Sequence, residues 1–417
     1  MATFIGTGGA DLYTGPWGEA NIIQGLGGRD TLTGGAFSDS IDGGNARDVL
    51  DGGFGDDLLI GGADDDTLRG GNGGDIIRDG NGNDLIEAGA GEDLIDTAGA
   101  KGEVNTIACG SGDDTVLAGR SGDLINGGVG EDIVDYAAAI AGVNVNLWRG
   151  EGGGEAKGDS YFLVEHARGS AFADVMVGDT TANIFEGGAG NDLLKSRGGS
   201  DSLLGGAGGD TLIGGLGGDH LDGGPGFDVV SYEDAGGTIL IDLRSDTFIG
   251  DVADGDSLAN VEAIRGSHGG SQIYGDGEVN VFYGGFGVDF LFGGGGDDIV
   301  NGSGGADTVG GGPGDDTLTA GNADDISPVA DVFQWEPFFG DGSSGVDVVT
   351  DFANNSDKIK FSFFSTPPVF ADWDETNIDW DGDGVDDLQI ETDIGVTIIL
   401  LNMSAAQFDI GDTQGVS

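Results

Sequence analysis

The stretch GGFGDDLLIGGADDDTLRGG, Gly52 to Gly71, places seven glycines and five aspartates in twenty residues. Ordered glycine costs more backbone entropy than any other residue, and clustered carboxylates repel one another. The surroundings explain the cost. From Gly25 the chain reads GLGGRDTLT, GGAFSDSID, GGNARDVLD, GGFGDDLLI, GGADDDTLR, GGNGGDIIR, DGNGNDLIE, AGAGEDLID, eight nonamers without a gap. Position six is always aspartate: Asp30, Asp39, Asp48, Asp57, Asp66, Asp75, Asp84 and Asp93. Position eight is always Leu or Ile. After Thr97–Gly99 four more nonamers follow, with Asn105, Asp114, Asp123 and Asp132 at position six. A further tract spans 169–231, with Asp174, Asn183, Asp192, Asp201, Asp210, Asp219 and Asp228. A last one spans 266–328, with Ser271, Asn280, Asp289, Asp298, Asp307, Asp316 and Asp325. Of these 26 nonamers, 25 are apolar at position eight, failing only at Ser327, in a chain that is 37% apolar overall.

A fixed nine-residue period marks a solenoid. Positions seven to nine are expected to form a three-residue strand with position eight inward, and positions one to six a glycine turn. Two nonamers then make one eighteen-residue coil, and stacked coils form two parallel sheets about 4.8 Å apart per layer. The predicted fold is therefore all-β, a parallel β-roll in several blocks. Its apolar core is thin for the number of glycines it must order.

The aspartates point to the missing stabilisation. The formal net charge is −60 over 417 residues, which leaves no basic face for nucleic acid and drives a bare chain apart. Disorder is one reading of such a charge, but the strict apolar placement argues against it. A solvated acidic face is another, and the confinement of the carboxylates to one ladder position argues against that. Coil over coil, the position-six carboxylates form a ladder on each edge. With glycine-turn carbonyls they offer oxygen-only, flexible coordination that suits several Ca²⁺ ions rather than Mg²⁺ or zinc.

The pattern GGxGxDxUx resembles the RTX (repeats-in-toxin) calcium-binding nonapeptide. The resemblance implies an ion between turns two nonamers apart on one edge, so that Asp57 pairs with Asp75 and Asp66 with Asp84. Phe37, Ala46 and Asp64 replace the position-four glycine and Asp79 the position-one glycine. Turns with Asn or Ser at position six are expected to hold calcium weakly or not at all.

Blocks 1–135, 169–231 and 266–328 are separated by inserts 136–168 and 232–265. Both inserts open with Tyr, carry an alternating strand (143–147; 239–243) and share GDS, VE and RGS, the mark of a duplicated unit. The bland expectation is that they close one roll and start the next. A sharper one gives Trp148, Tyr161 and Phe162 a sugar-binding face. From 329 to 417 only eight glycines occur, and DVFQW, GVDVVTDF, DKIKF, DLQIE and GVTIILL alternate as strands. This segment resembles the C-terminal domain of RTX-secreted proteases and epimerases, which implies a cap and an uncleaved type I secretion signal near AAQFDIGDTQGVS. Within it, Asp379, Asp381 and Asp383 look like the front of an EF-hand loop, although position twelve is Ile390 rather than Glu.

The N-terminus lacks a basic region and a long apolar run, so no classical signal peptide is expected, and no apolar stretch is long enough to span a membrane. The lone Cys109 excludes an intrachain disulfide. No H-E-x-x-H or G-x-S-x-G occurs, and the three histidines are scattered. The chain thus reads as a bacterial, extracellular, type I-secreted calcium-binding roll of structural or matrix role. The alternatives are a calcium-dependent adhesin or carbohydrate-binding module, with polysaccharide or cell surface as partner, and a polysaccharide lyase or epimerase.

Overall fold

The protein is seen in a computed structural model that describes residues 1–97, 102–120, 122–321, 331–335, 346–350, 358–361, 377–378, 387–391, 397–401 and 413–415. Contacts divide the chain into two compact units, Met1–Leu212 with Asp222–Gly226, and Ile213–Leu221 with Phe227–Ser417. Each is an all-β parallel solenoid. One 3-10 turn, Asp251–Ala253, is the only helical element among the described residues.

In the first unit, strands eighteen residues apart pair in parallel. Ser40–Asn45, Leu58–Ala63 and Ile76–Asn81 follow one another in one sheet, and Val49–Phe54, Thr67–Asn72 and Leu85–Ala90 in the facing sheet. Position eight stacks on position eight, so the core is two columns of aliphatic side chains. One runs Ile23, Ile41, Leu59, Ile77, Ile95, the other Leu32, Leu50, Leu68, Ile86, Ile107. All ten are at most 1% exposed. The roll also begins earlier than the nonamers do: Ala2–Ile5 and Leu12–Thr14 already pair in register, placing Phe4 and Tyr13 at the head of the columns, stacked at 4.1 Å.

The six successive strands from Ser40–Asn45 to Leu85–Ala90 are six residues long rather than the expected three. The first three positions of the next nonamer stay extended and stay in the ladder, as in Thr67–Asn72, TLRGGN. Glycine at position two makes this possible. Gly71 has φ +118° and a Cβ there would overlap the Gly53 carbonyl of the coil before it. Gly71→Ala is therefore expected to cost at least about 2 kcal/mol, read as a lowered urea midpoint in calcium. Gly27→Ala, whose Cβ would meet nothing within 3.9 Å, should leave that midpoint unchanged. Ala46 and Asp64, at position four, take the left-handed conformation without being glycine, with φ +78° and +74°.

In the second unit the columns run Val230, Ile264, Phe282, Val300, Leu318 and Ile241, Ile273, Leu291, Val309, Phe333. All five strand patterns expected beyond residue 329 are strands, and Val332–Trp335, Val346–Val349 and Lys358–Phe361 continue the parallel pairing.

Candidate metal sites

Each position-six residue is locked by its backbone. The N–H of Asp30 donates to Oδ1 of Asp48 at 2.8 Å, that of Asp48 to Asp66 at 2.8 Å, and that of Asp66 to Asp84 at 2.6 Å. On the other edge Asp39 donates to Asp57 at 2.7 Å, Asp57 to Asp75 at 2.8 Å and Asp75 to Asp93 at 2.7 Å. The insertion at 97–99 stretches the step to 21 residues without breaking either column: Asp84 donates to Asn105 and Asp93 to Asp114. Asn105 then donates to Asp123 and Asp114 to Asp132. The third tract repeats the motif from Asp174 to Asp192 to Asp210 and from Asn183 to Asp201. In the second unit Asp289 donates to Asp307 and Asp298 to Asp316.

One oxygen of each carboxylate is thereby used. The other, Oδ2, is buried and without a hydrogen-bond donor in Asp30, Asp39, Asp48, Asp57, Asp66, Asp75, Asp84, Asp93, Asp114, Asp132, Asp192, Asp289, Asp298 and Asp316. Except for Asp84, Asp93 and Asp114, whose nonamers have Asp79, Ala88 and Cys109 at position one, these oxygens lie against the position-one glycine of their own nonamer. A Cβ on Gly43 would sit 2.6 Å from Asp48 Oδ2 and 2.8 Å from the carbonyl oxygen of Gly61, one coil further. The same pair of oxygens crowds Gly25, Gly34, Gly52, Gly187 and Gly284. Two converging oxygens with no proton between them, in a buried place, are costly unless a cation joins them. No three His, Cys, Asp or Glu side chains converge among the described residues. An ion between coils would therefore draw on backbone carbonyls as well as carboxylates, a donor set that fits Ca²⁺.

Burial drives the carboxyls of Asp57, Asp66 and Asp48 up from the ordinary 3.8, and neighbouring carboxylates add to it. Asp57 rises to about 7, with Asp75 and Asp39 contributing after desolvation, Asp66 to about 8, and Asp48 to about 6. Both edges thus carry charge that the fold alone holds poorly.

The columns include residues the nonamer pattern does not reveal. Asp11 N–H donates to Asp30 Oδ1 at 2.7 Å. In the first insert Asp159 accepts from Asp123 N–H at 2.8 Å and Glu165 from Asp132 N–H at 3.0 Å. In the second, Asp256 accepts from Asp219 N–H at 2.9 Å and Glu262 from Asp228 N–H at 2.7 Å. The shared GDS and VE were the sequence signal, since their acidic residues are the column members. Asp79 fills a gap: its Oδ2 accepts from Nδ2 of Asn105 at 2.8 Å, so a carboxylate at position one faces the amide at position six.

Asp325 lies outside the described residues. Asp307 N–H goes to Asp331 Oδ1 at 2.9 Å, and Asp316 N–H to Asp347 Oδ1 at 3.3 Å. The Asp331-Val-Phe run puts Phe333, fully buried, at position eight. Asp174 has both oxygens occupied, Oδ1 by Val143 N–H and Oδ2 by Ser170 N–H at 2.6 Å. Asp379, Asp381 and Asp383 lie outside the described residues. The supposed sugar-binding face does not assemble: Tyr161 is 4% exposed while Phe162 is 61% exposed, and Arg197 lies 4.4 Å over the Trp148 ring. Cys109 is buried in the strand Thr106–Ser111, where burial raises its thiol pKa.

Parallel coils with buried carboxylate columns on both edges define a repeat solenoid with candidate cation sites. The model of the RTX calcium-binding nonapeptide repeat matches residues 24–59, 33–68, 69–99, 109–138, 168–203, 195–230, 274–309 and 303–326, more than half of the chain. The chain belongs to this family, whose repeats imply calcium binding. Among solved structures, the extracellular lipase LipA from Serratia marcescens is similar at 17% identity and a TM-score of 0.24, over 58% of this chain and 39% of that one. The chain thus spans well under half the length of that protein. No curated protein sequence matches it. No helix among the described residues is long and apolar enough to cross a membrane.

Proposed function

We propose that this is an extracellular protein whose repeat blocks fold when Ca²⁺ enters the two carboxylate columns, and whose role is structural, in a matrix or at a surface. The observation that supports it is the series of buried, donorless Oδ2 atoms, several of them beside a carbonyl of the next coil. A column that is repulsive when bare and joined when metallated makes folding and ion binding one process. Outside the cell, where modules of this kind bind calcium at about 10⁻⁴–10⁻³ M, the roll is expected to form; inside, where calcium is scarce, it would stay open for export. Export by a type I apparatus rests on the resemblance of the last 89 residues to the domain of RTX-secreted enzymes. Deleting 329–417 should abolish secretion from the native host, and normal secretion of the truncated chain would exclude that assignment.

The ligand assignment makes a sharper claim. Asp57 and Asp75 share one column and are joined by a hydrogen bond, while Asp66 stands in the other. Asp57→Ala should lower calcium stoichiometry by one or two. The Asp57/Asp75 double substitution should be clearly less than additive because both residues feed one site, and Asp57/Asp66 closer to additive. Calorimetric titration of these variants decides it, and equal coupling in both pairs would reject the two-column arrangement.

A further inference from the structure

The orphaned oxygens stop where the inserts begin. Asp159, the column member after Asp123, has Oδ2 satisfied by the Tyr136 hydroxyl at 2.5 Å, and Tyr136 also meets the Tyr161 hydroxyl at 2.6 Å. Tyr136 is fully buried, Asp159 is 3% exposed and Tyr161 4%. The second insert repeats this at the corresponding residues: the Tyr232 hydroxyl, 2% exposed, donates to Asp256 Oδ2 at 2.9 Å. Where columns start, a position-two N–H does the same work. Thr7 N–H donates to Asp11 Oδ2 at 2.6 Å and Ser170 N–H to Asp174 Oδ2 at 2.6 Å. Ser267 N–H donates to the Ser271 hydroxyl at 2.8 Å. Asp179 and Asp276 N–H donate to Oδ1 of Asn183 and Asn280 at 3.0 and 3.1 Å.

We infer that the first two repeat blocks are each closed, on one column, by a buried tyrosine hydroxyl standing where calcium stands in the interior, and that a position-two amide does the same at the column starts at Asp11, Asp174, Asn183, Ser271 and Asn280. The chemistry is equivalent at the oxygen. A carboxylate oxygen that is already the acceptor of a short O–H or N–H bond has its charge partly compensated and its approach blocked. An ion there would have to displace a buried tyrosine whose ring is packed in the core. The seams around Asp159 and Asp256 are then calcium-independent joints between calcium-dependent blocks. They give each block a preformed coil on which the next can stack, which lowers the cost of nucleating a one-dimensional array.

This inference rests on the calcium reading of the columns, and one set of full-length variants separates the two. Asp159→Asn keeps an acceptor for Asp123 N–H, with the Tyr136 hydroxyl turned to accept from the new amide, but cannot serve as a charged ligand; Asp57→Asn likewise removes the charge in the interior. Calcium stoichiometry by calorimetry should be unchanged in Asp159→Asn and fall by at least one ion in Asp57→Asn. Loss of an ion in Asp159→Asn would overturn the inference while leaving the columns standing; no loss in Asp57→Asn would overturn both. Tyr136→Phe and Tyr232→Phe keep the rings and remove only the donors. They should raise the calcium midpoint of folding, followed by far-UV circular dichroism, several-fold, while Tyr283→Phe, half-exposed beside Arg265, leaves it in place. A wild-type midpoint in both insert variants would overturn the lock.

Discussion

In excess EGTA at pH 7.5 the chain is expected to lose most of its parallel-β far-UV signal and to regain it cooperatively on adding calcium. The reason is arithmetic of sign rather than of any single contact. Each coil from Asp30 to Asp93 buries two carboxylates whose Oδ2 atoms have no donor, and the chain carries −60 in all. Against this stand two columns of Leu, Ile and Val side chains, one side chain per nine residues, four or so of which are glycine or aspartate. Surface ion pairs between coils, such as Arg69 with Glu87 at 2.7 Å, are exposed and contribute little. Calcium converts each repulsive pair of oxygens into a joined one, and because only the folded roll presents the pair, binding shifts the equilibrium toward it. The signal should rise with a midpoint in the range of extracellular calcium. A spectrum in EGTA identical to that in calcium would reject the proposal.

Protons should replace calcium in part, and this second effect runs in a definite direction. The folded carboxyls sit above the ordinary 3.8, Asp66 at about 8, Asp57 and Asp192 at about 7, and Asp48 and Asp289 at about 6. A group whose pKa is raised by folding favours the folded state when protonated. Its contribution is complete below about pH 4 and is lost as pH climbs through 6 to 8. In chelator, acidification from pH 8 to 5 should therefore restore part of the β signal that calcium restores at pH 7.5. With calcium present the direction reverses, since a ligand must be deprotonated: the calcium midpoint should move to higher concentration as pH falls from 7.5 to 5.5. Circular dichroism on the two series tests both. A chelated chain that unfolds further on acidification would contradict the burial of the columns.

Reading the repeats by eye reached the coil, the eighteen-residue step and the position-six columns because each depends on a period that every nonamer states. Asp57 was placed between Asp39 and Asp75, and the backbone-to-carboxylate bonds run along that line. Where the period lapses, legibility lapses with it. Asp159 and Glu165 sit 36 and 33 residues after their column neighbours, Asp123 and Asp132, so no spacing rule marks them. Asp331 accepts from Asp307 N–H 24 residues away, a step the nonamer count does not state. The sequence offers Tyr161 with Trp148 and Phe162 as a sugar-binding face; its pairing with Ile125 puts it in the core.

The sequence by itself determined that the chain is an all-β solenoid, that its aspartates form two columns, and that oxygen-liganded calcium suits them, because a nine-residue repeat dictates the same local geometry at every turn. Only the tertiary structure decided which carboxylate oxygens lack a proton donor and which already have one. That difference lies in whether Tyr136, Tyr232 or a position-two amide reaches the column from elsewhere in the chain, and contacts across 23 or 24 residues, such as Tyr136 to Asp159 and Tyr232 to Asp256, are set by how the inserts pack rather than by any local pattern.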